Sequence, residues 1–131
     1  MIQTSSIANL RNMKQNEIWL VVRSVGKAKD LLKRPDVRHV PELSPTTDLF
    51  YKYLRWKQNG LWDQKCFDER YRPQFLADAE HSPEFQNAFS KLLEEDAKGK
   101  IITLACFCGY EPMCHRSILK ELYEQARKEN V

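Results

Sequence analysis

Two short, uninterrupted apolar runs constrain the fold of this chain more than any other feature of its sequence. Residues 17–23 and 100–106 are both rich in β-branched side chains. Such runs are typical of strands that are covered on both faces, as in a parallel sheet. Residues 2–5 offer a further, shorter strand. We therefore predict an α/β domain of the Rossmann-like or flavodoxin-like type, with a short, mostly parallel sheet covered by helices.

Helices are predicted between these strands. Ser44-Pro45 and Ser82-Pro83 each supply an N-cap residue followed by proline at the first helical position. The first helix should end at Asn59-Gly60 and the second near Gly99. The apolar stripes predicted to face the core are Leu49, Phe50, Tyr53 and Leu54 in the first helix, and Phe85, Ala88, Phe89, Leu92 and Leu93 in the second.

Two more helices complete the pattern. Residues 67–79 carry aromatic side chains at a spacing of four, but Pro73 should kink this helix or delay its start. The last helix is predicted from Cys114 or His115 to about Lys128. Its inward stripe is Ile118, Leu119, Leu122, Tyr123 and Ala126. Because His115 precedes this stripe by three and four residues, its imidazole belongs to the buried face.

The composition points to one domain that spans residues 1–131. At 42% hydrophobic residues the chain has enough apolar material for a core. No run approaches the roughly 18 to 20 apolar residues of a membrane span, and the first six residues lack the features of an export signal. We expect a soluble, cytoplasmic protein without a membrane partner. The four cysteines are then expected as free thiols, with Cys66 a small buried or half-buried hydrophobe.

The net charge of +3 is unevenly placed. Residues 1–38 hold eight Lys and Arg against three Asp and Glu, whereas residues 39–131 hold thirteen against fifteen. The cations that account for most of the excess are Lys27, Lys29, Lys33, Arg34 and Arg38. We interpret this segment as a solvated face. The alternative is a surface that faces a polyanion.

The distinctive chemistry lies where the second apolar run ends and the last helix begins. A buried strand ends in Cys106-Phe107-Cys108, and a helix starts at Cys114-His115-Arg116. In open α/β sheets the carboxyl ends of strands and the amino ends of the following helices form a ligand crevice. A helix start binds anions, and Arg116 in its first turn would reinforce that preference.

Three interpretations of the cysteines stay open. Cys106, Cys108, Cys114 and His115 supply four donors of the kind that zinc prefers, although C-x-C-x5-C-H lacks the paired knuckles of common structural zinc sites. In the second, the helix start and Arg116 lower the pKa of Cys114, which becomes a nucleophile or redox centre with Cys108 as resolving partner. In the third, the cysteines are scaffold, and His115 acts as general acid or base beside Arg116.

At this loop the sequence resembles the DUF488 family, whose mark is a strand-ending cysteine followed by Cys-His-Arg at a helix start. The similarity covers nearly the whole chain. The further segments that carry it are Thr4 to Leu10, Val22-Arg23, Leu43-Ser44-Pro45, and Trp62 through Phe67 with Tyr71.

The resemblance implies that one site is surrounded by Ser5, Asn9, Arg23, Cys106, Cys114, His115 and Arg116. Members often have glutamate two residues after the strand cysteine, where this chain has Cys108, so a carboxylate would have to come from Glu111. The resemblance also implies an association with nucleic-acid processing.

Our leading functional hypothesis is a site for a phosphate-bearing ligand, a nucleotide or a nucleic acid. In this hypothesis Ser5, Asn9, Arg23, Arg116 and Cys108 bind the ligand, and Cys106, Cys114 and His115 are available for catalysis. No cofactor is expected. The alternatives are a non-enzymatic interaction module with a zinc- or thiol-stabilised loop, and a thiol redox protein.

Overall fold

The structure is a computed structural model that describes residues 1–12 and 15–129. Its centre is a four-stranded sheet in which every pairing is parallel. The strands are β1 (Ile2–Ser6), β2 (Glu17–Leu20), β3 (Val37–His39) and β4 (Ile102–Cys106). Their order across the sheet is β1-β4-β2-β3. The small α/β fold predicted from the sequence is therefore confirmed.

The two central strands are the two apolar runs. Every residue of β2 and β4 is buried, as expected for strands covered on both faces. Strand β2 is shorter than the predicted segment, but Val21 continues alongside β4 through a backbone hydrogen bond to the carbonyl of Ala105. The short β3 was not predicted, because only one of its three residues, Val37, is buried.

Five α-helices accompany the sheet in the part of the chain that the structure describes. They are α1 (Thr47–Gln58), α2 (Gln64–Cys66), α3 (Arg72–Glu80), α4 (Pro83–Ala97) and α5 (His115–Glu129). Short 3₁₀ helices cover Ile7–Asn12, Gly26–Lys33, Pro41–Leu43 and Glu111–Met113. No helix in the described part of the chain combines the length and the apolar character that a membrane span requires.

The two predicted helix caps have different outcomes. Ser82 caps α4 as expected, since its hydroxyl accepts a hydrogen bond from the amide of Phe85. The prediction for α1 was wrong by two residues: Thr46 is its cap and accepts from the amide of Leu49. Ser44 instead donates to the carbonyl of Pro41 and closes the preceding 3₁₀ turn.

Pro73 is accommodated by a π-helical turn. Phe67–Tyr71 forms that turn between α2 and α3, and the amide of Arg72 bonds the carbonyl of Phe67. Proline has no N–H to complete an α-helical hydrogen bond, and the wider turn just before it absorbs the irregularity. Phe67, Tyr71 and Phe75 still stack on one another in sequence.

The parallel arrangement brings three strand ends to one edge of the sheet. Strand β1 ends at Ser6, opposite Cys106 at the end of β4, and on the other side of β4 lies Leu20 at the end of β2. The segment after β4 leads into α5, so the start of α5 returns to the same edge. Any site built there lies between elements that are far apart in sequence.

Candidate functional site

A cavity of about 820 Å³ opens at this carboxyl edge, between β2 and β4. Its walls come from the segments after β2 and β4, the start of α5, and aromatic side chains from α1 to the π-helical turn. The predicted site residues that line it are Arg23, Cys106, Cys108, Cys114 and His115. The structure thus brings these five together, from segments separated by as many as 92 positions in sequence.

The floor of the cavity is a buried cluster of two thiols and an imidazole. The sulfur atoms of Cys106 and Cys114 lie 3.0 Å apart. The Nδ1 atom of His115 lies 3.7 Å from the sulfur of Cys114. All three side chains are buried, and all four cysteines are free thiols. Cys66 is buried as predicted but lies outside this cluster.

His115 has a defined hydrogen-bonding arrangement. Its Nε2 atom lies 2.6 Å from the carbonyl oxygen of Val21. A carbonyl only accepts, so Nε2 carries the proton and Nδ1 is left with a lone pair directed towards Cys114. Burial lowers the pKa of His115 to about 4, and the imidazole is neutral at pH 7.

The thiol with the lowered pKa is Cys106. The hydrogen bond with Cys114 lowers the pKa of Cys106, against the opposing effect of burial, and the charge of Arg116 lowers it further. The same hydrogen bond raises the pKa of Cys114 to about 11. The sequence pattern predicted the lowered pKa at Cys114, where the helix starts. That prediction was wrong: the two thiols share a hydrogen bond that lowers the pKa of Cys106 and raises the pKa of Cys114.

Cys108 lies beside the cluster rather than within it. Its thiol donates to the carbonyl of Tyr110 at 3.4 Å. A hydrogen bond with Cys114 and partial burial raise the pKa of Cys108 well above the usual thiol range. This thiol is therefore protonated at neutral pH.

Arg116 is buried next to Cys108, outside the cavity. It is 4% exposed, and its Nη2 donates to the carbonyl of Cys108 at 3.0 Å. Its Nε has no hydrogen-bond partner, and among the described residues no carboxylate forms an ion pair with it. Arg116 is not among the residues that line the cavity. Its charge acts on the thiols from inside the protein.

Arg23 and Lys57 are the two cations that line the cavity. The guanidinium of Arg23 donates to the carbonyl of Pro45 at 3.2 Å and to the hydroxyl of Thr47 at 2.5 Å. These bonds hold an exposed arginine beside the start of α1. The Nζ atom of Lys57 lies 5.4 Å from the ring centroid of Tyr53.

The structure does not place Ser5 and Asn9 on the cavity. The hydroxyl of Ser5 donates to the carbonyl of Ser6, and Asn9 is exposed on a 3₁₀ helix. Both belong to β1 or the segment after it, and β1 lies on the far side of β4 from the cavity. Glu111 does not replace the family's carboxylate there, because it bonds the hydroxyl of Thr4.

An aromatic wall that the sequence pattern did not predict completes the cavity. Tyr53, Trp62 and Tyr71 form edge-to-face contacts, with 4.7 Å between the ring centroids of Tyr53 and Trp62 and 5.4 Å between those of Trp62 and Tyr71. Tyr53 and Phe50 follow a helical stripe predicted to face the core, yet both line the cavity. Leu54, predicted to face inward, is exposed. The open cavity beside α1 explains why this stripe is only half-buried.

The basic segment near the amino terminus is an exposed face. Lys27, Lys29, Lys33, Arg34 and Arg38 are all exposed. Arg38 forms an ion pair with Glu17 of β2, and Lys33 forms one with Asp30 of its own 3₁₀ helix. Arg34 pairs with Asp36 two residues later. None of the five lines the cavity. The described structure therefore gives no support to a link between this segment and the site.

Comparison with known proteins identifies a family. A family model described as the active DUF488-N3 subclade matches residues 2–127. No curated protein and no solved structure matches the chain.

Proposed function

The chain belongs to the DUF488 family, and on that premise we propose that its cavity binds a ligand carrying both a phosphate and an aromatic ring, a nucleotide or the end of a nucleic acid. One observation carries the proposal: an aromatic wall and two cations line the same cavity, above three reactive side chains. These side chains, Cys106, Cys114 and His115, are the groups that a bound ligand would meet at the floor. We assign any catalysis to them.

The size and lining of the cavity suit such a ligand. Small-molecule sites typically enclose about 300 to 1,000 Å³ and are mainly apolar with a few orienting polar groups. A cavity of about 820 Å³ lies within that range. Phe50, Tyr53 and Trp62 supply apolar surface for a planar ring, and each base stacked on an aromatic side chain contributes about 1 to 3 kcal/mol.

The phosphate would lie nearer the mouth of the cavity. Arg23 is held there by Pro45 and Thr47 and retains N–H groups beyond the two bonds it makes to them. A guanidinium binds phosphate through charge-assisted hydrogen bonds, and Lys57 adds a second positive charge. Two exposed rings, Phe107 and Tyr110, lie along the same opening.

The experiment is a binding titration with four kinds of probe: inorganic phosphate, a nucleoside, the matching nucleoside mono- and diphosphates, and a short single-stranded oligonucleotide. We expect the nucleotides to bind more tightly than either the nucleoside or phosphate alone. Tighter binding of the oligonucleotide would assign the site to a nucleic-acid end. The proposal is wrong if none of these probes binds.

Two pairs of variants locate the binding. Arg23→Ala should weaken nucleotide binding by about 10- to 150-fold, since a charge-assisted hydrogen bond contributes about 1.5 to 3 kcal/mol, while Lys29→Ala should have no effect. Tyr110→Ala should weaken nucleoside and nucleotide binding alike. Its matched control is Tyr51→Ala, because Tyr51 is 59% exposed against 60% for Tyr110 and lies outside the cavity. Equal effects within either pair would contradict the proposal.

A further inference from the structure

We propose that Cys106, Cys114 and His115 bind one thiophilic metal ion, which we expect to be zinc. The fourth coordination position of the ion is open to the cavity. Two of these ligands come from the start of α5 and the residue before it, and one from the end of β4. The inference does not depend on the proposed nucleotide, because it rests on three donor atoms of the chain itself.

The donor atoms have nearly the spacing that a metal requires. The two sulfur atoms and a ring nitrogen of His115 all lie within 4.8 Å of one another. With metal bonds of about 2.3 Å to sulfur and 2.0 Å to nitrogen, tetrahedral ligands lie about 3.5 to 3.8 Å apart. The observed separation of 3.7 Å between the Cys114 sulfur and Nδ1 matches that value. The two sulfurs, at 3.0 Å, need to separate by less than about 1 Å.

The imidazole is oriented as in a metal ligand. A histidine that binds a metal through one nitrogen almost always donates its other N–H to a carboxylate, a carbonyl or water. His115 already makes that bond, from Nε2 to the carbonyl of Val21 at 2.6 Å. Nδ1 is therefore left as a lone pair facing the sulfur of Cys114. The ring is also held in place by Phe75, whose centroid lies 6.0 Å away.

The chemistry of the donors selects the kind of ion. Thiolate and imidazole are soft or borderline ligands that select zinc and similar ions, whereas magnesium and calcium require oxygen ligands. The group contains no carboxylate. Each ligand is buried, so an ion bound there would be shielded from water except on the side of the cavity.

The open fourth position follows from the surroundings. All three ligand residues line the cavity. The thiol of Cys108 is directed to the carbonyl of Tyr110 and is not part of the donor group. Three protein ligands with an open position are typical of catalytic zinc sites, while structural sites have four. The site differs in this respect from the four-ligand set that the sequence pattern offers, which includes Cys108.

The test uses the full chain, stripped with a chelator and kept reduced with a phosphine, and titrated with Co²⁺ and then Zn²⁺ in the absence of any nucleotide. We expect one equivalent of Co²⁺ to produce thiolate-to-cobalt absorption that Zn²⁺ abolishes. Cys106→Ser and Cys114→Ser should each weaken binding by about 100-fold or more, beyond the 10- to 100-fold typical of losing an outer partner. Cys66→Ser is the matched control and should bind like the wild type.

A second measurement applies even if the serine variants do not fold. In the wild-type protein, Zn²⁺ should protect Cys106 and Cys114 from alkylation and leave the reactivity of Cys66 unchanged, as measured by peptide mapping. Absence of cobalt absorption or of selective protection would overturn the proposal. So would a Cys106–Cys114 disulfide that forms in preference to metal binding once the reductant is removed. Retained metal binding in Arg23→Ala and Tyr110→Ala would separate this site from the proposed ligand site.

Discussion

The two edges of the sheet differ in whether their buried charged side chains have partners of opposite charge. At the amino edge, the carboxylates of Glu17 and Glu95 are buried, and each lies 2.5 Å from the ammonium of Lys100. Lys91 and Lys98 form further ion pairs with Glu95. Hydrogen bonds from these lysines hold the pKa of Glu95 at about 2. Opposite charges at this edge are paired: even Oε2 of Glu95, which has no hydrogen bond of regular geometry, lies 2.5 Å from the ammonium of Lys100.

At the carboxyl edge, the buried cation lacks such a partner. Arg116 bonds one carbonyl, its Nε is unpartnered, and no carboxylate among the described residues pairs with it. Burial also keeps His115 neutral by lowering its pKa, and the thiols of Cys106 and Cys114 share a hydrogen bond. A protein tolerates incomplete satisfaction of this kind mainly at functional sites. This contrast supports our proposal that the carboxyl edge carries the chemistry, whereas the ion pairs of the amino edge stabilise the fold.

The largest expected effect is at the amino edge. Lys100→Met leaves two buried carboxylates close to each other without their shared partner, and removing one member of a buried ion cluster is strongly destabilising. We expect a greater fall in the urea midpoint, measured at pH 7, than any other substitution proposed below should cause. Lys65→Met, which changes an exposed lysine, serves as control and should leave the midpoint unchanged.

A smaller effect is expected when the buried cation of the carboxyl edge is removed. Arg116→Met leaves no carboxylate behind, only the carbonyl of Cys108, so we expect a loss of about 1 to 3 kcal/mol in the free energy of unfolding. Urea denaturation of both methionine variants provides the comparison. If Arg116→Met lowered the free energy of unfolding more than Lys100→Met does, the contrast between the two edges would be incorrect.

The two edges should also lose stability in different ranges of pH. In the metal-stripped protein, the folded-state pKa of His115 is lowered to about 4, so the unfolded chain binds the proton first and stability falls as the pH drops from about 6.5 to 4. The slope is at most about 1.4 kcal/mol per pH unit. Glu95, with its pKa lowered to about 2, loses its contribution only as the pH falls from about 4.5 towards 2.

Variants of these two residues separate the ranges. We would measure the urea midpoint from pH 2 to 7. Its dependence on pH should become weaker above pH 4.5 in His115→Gln and weaker below pH 4.5 in Glu95→Gln. If the urea midpoint of the wild type changed only below pH 4.5, burial would not lower the pKa of the His115 imidazole as we expect.

The smallest effect is expected where charge is neither buried nor near the cavity. Lys33→Ala removes an exposed ion pair with Asp30, and such pairs contribute less than about 1 kcal/mol. We expect unchanged nucleotide binding, measured by calorimetric titration. The free energy of unfolding, measured by urea denaturation, should change by less than about 0.5 kcal/mol. A substantial loss of binding would mean that the basic segment belongs to the site.

Much of the fold could be predicted from local pattern. The two apolar runs identified the central strands, and Ser82-Pro83 identified the start of α4, because each signal lies within a few adjacent residues. The cap of α1 was misplaced, since Ser44 and Thr46 are both competent caps and the preceding 3₁₀ turn engages Ser44.

The sequence by itself determined where the candidate site of this protein lies: Cys106, Cys108, Cys114 and His115 run from the end of a buried strand to the start of a helix, and local pattern is sufficient to place them at one edge of a sheet. Only the tertiary structure decided that Cys106 has the lowered pKa, that Arg116 lies behind the cavity, and that the aromatic rings of α1 line it. The physical reason is that periodicity specifies which face of an element is apolar, whereas a pKa or a cavity depends on partners that only folding brings into contact.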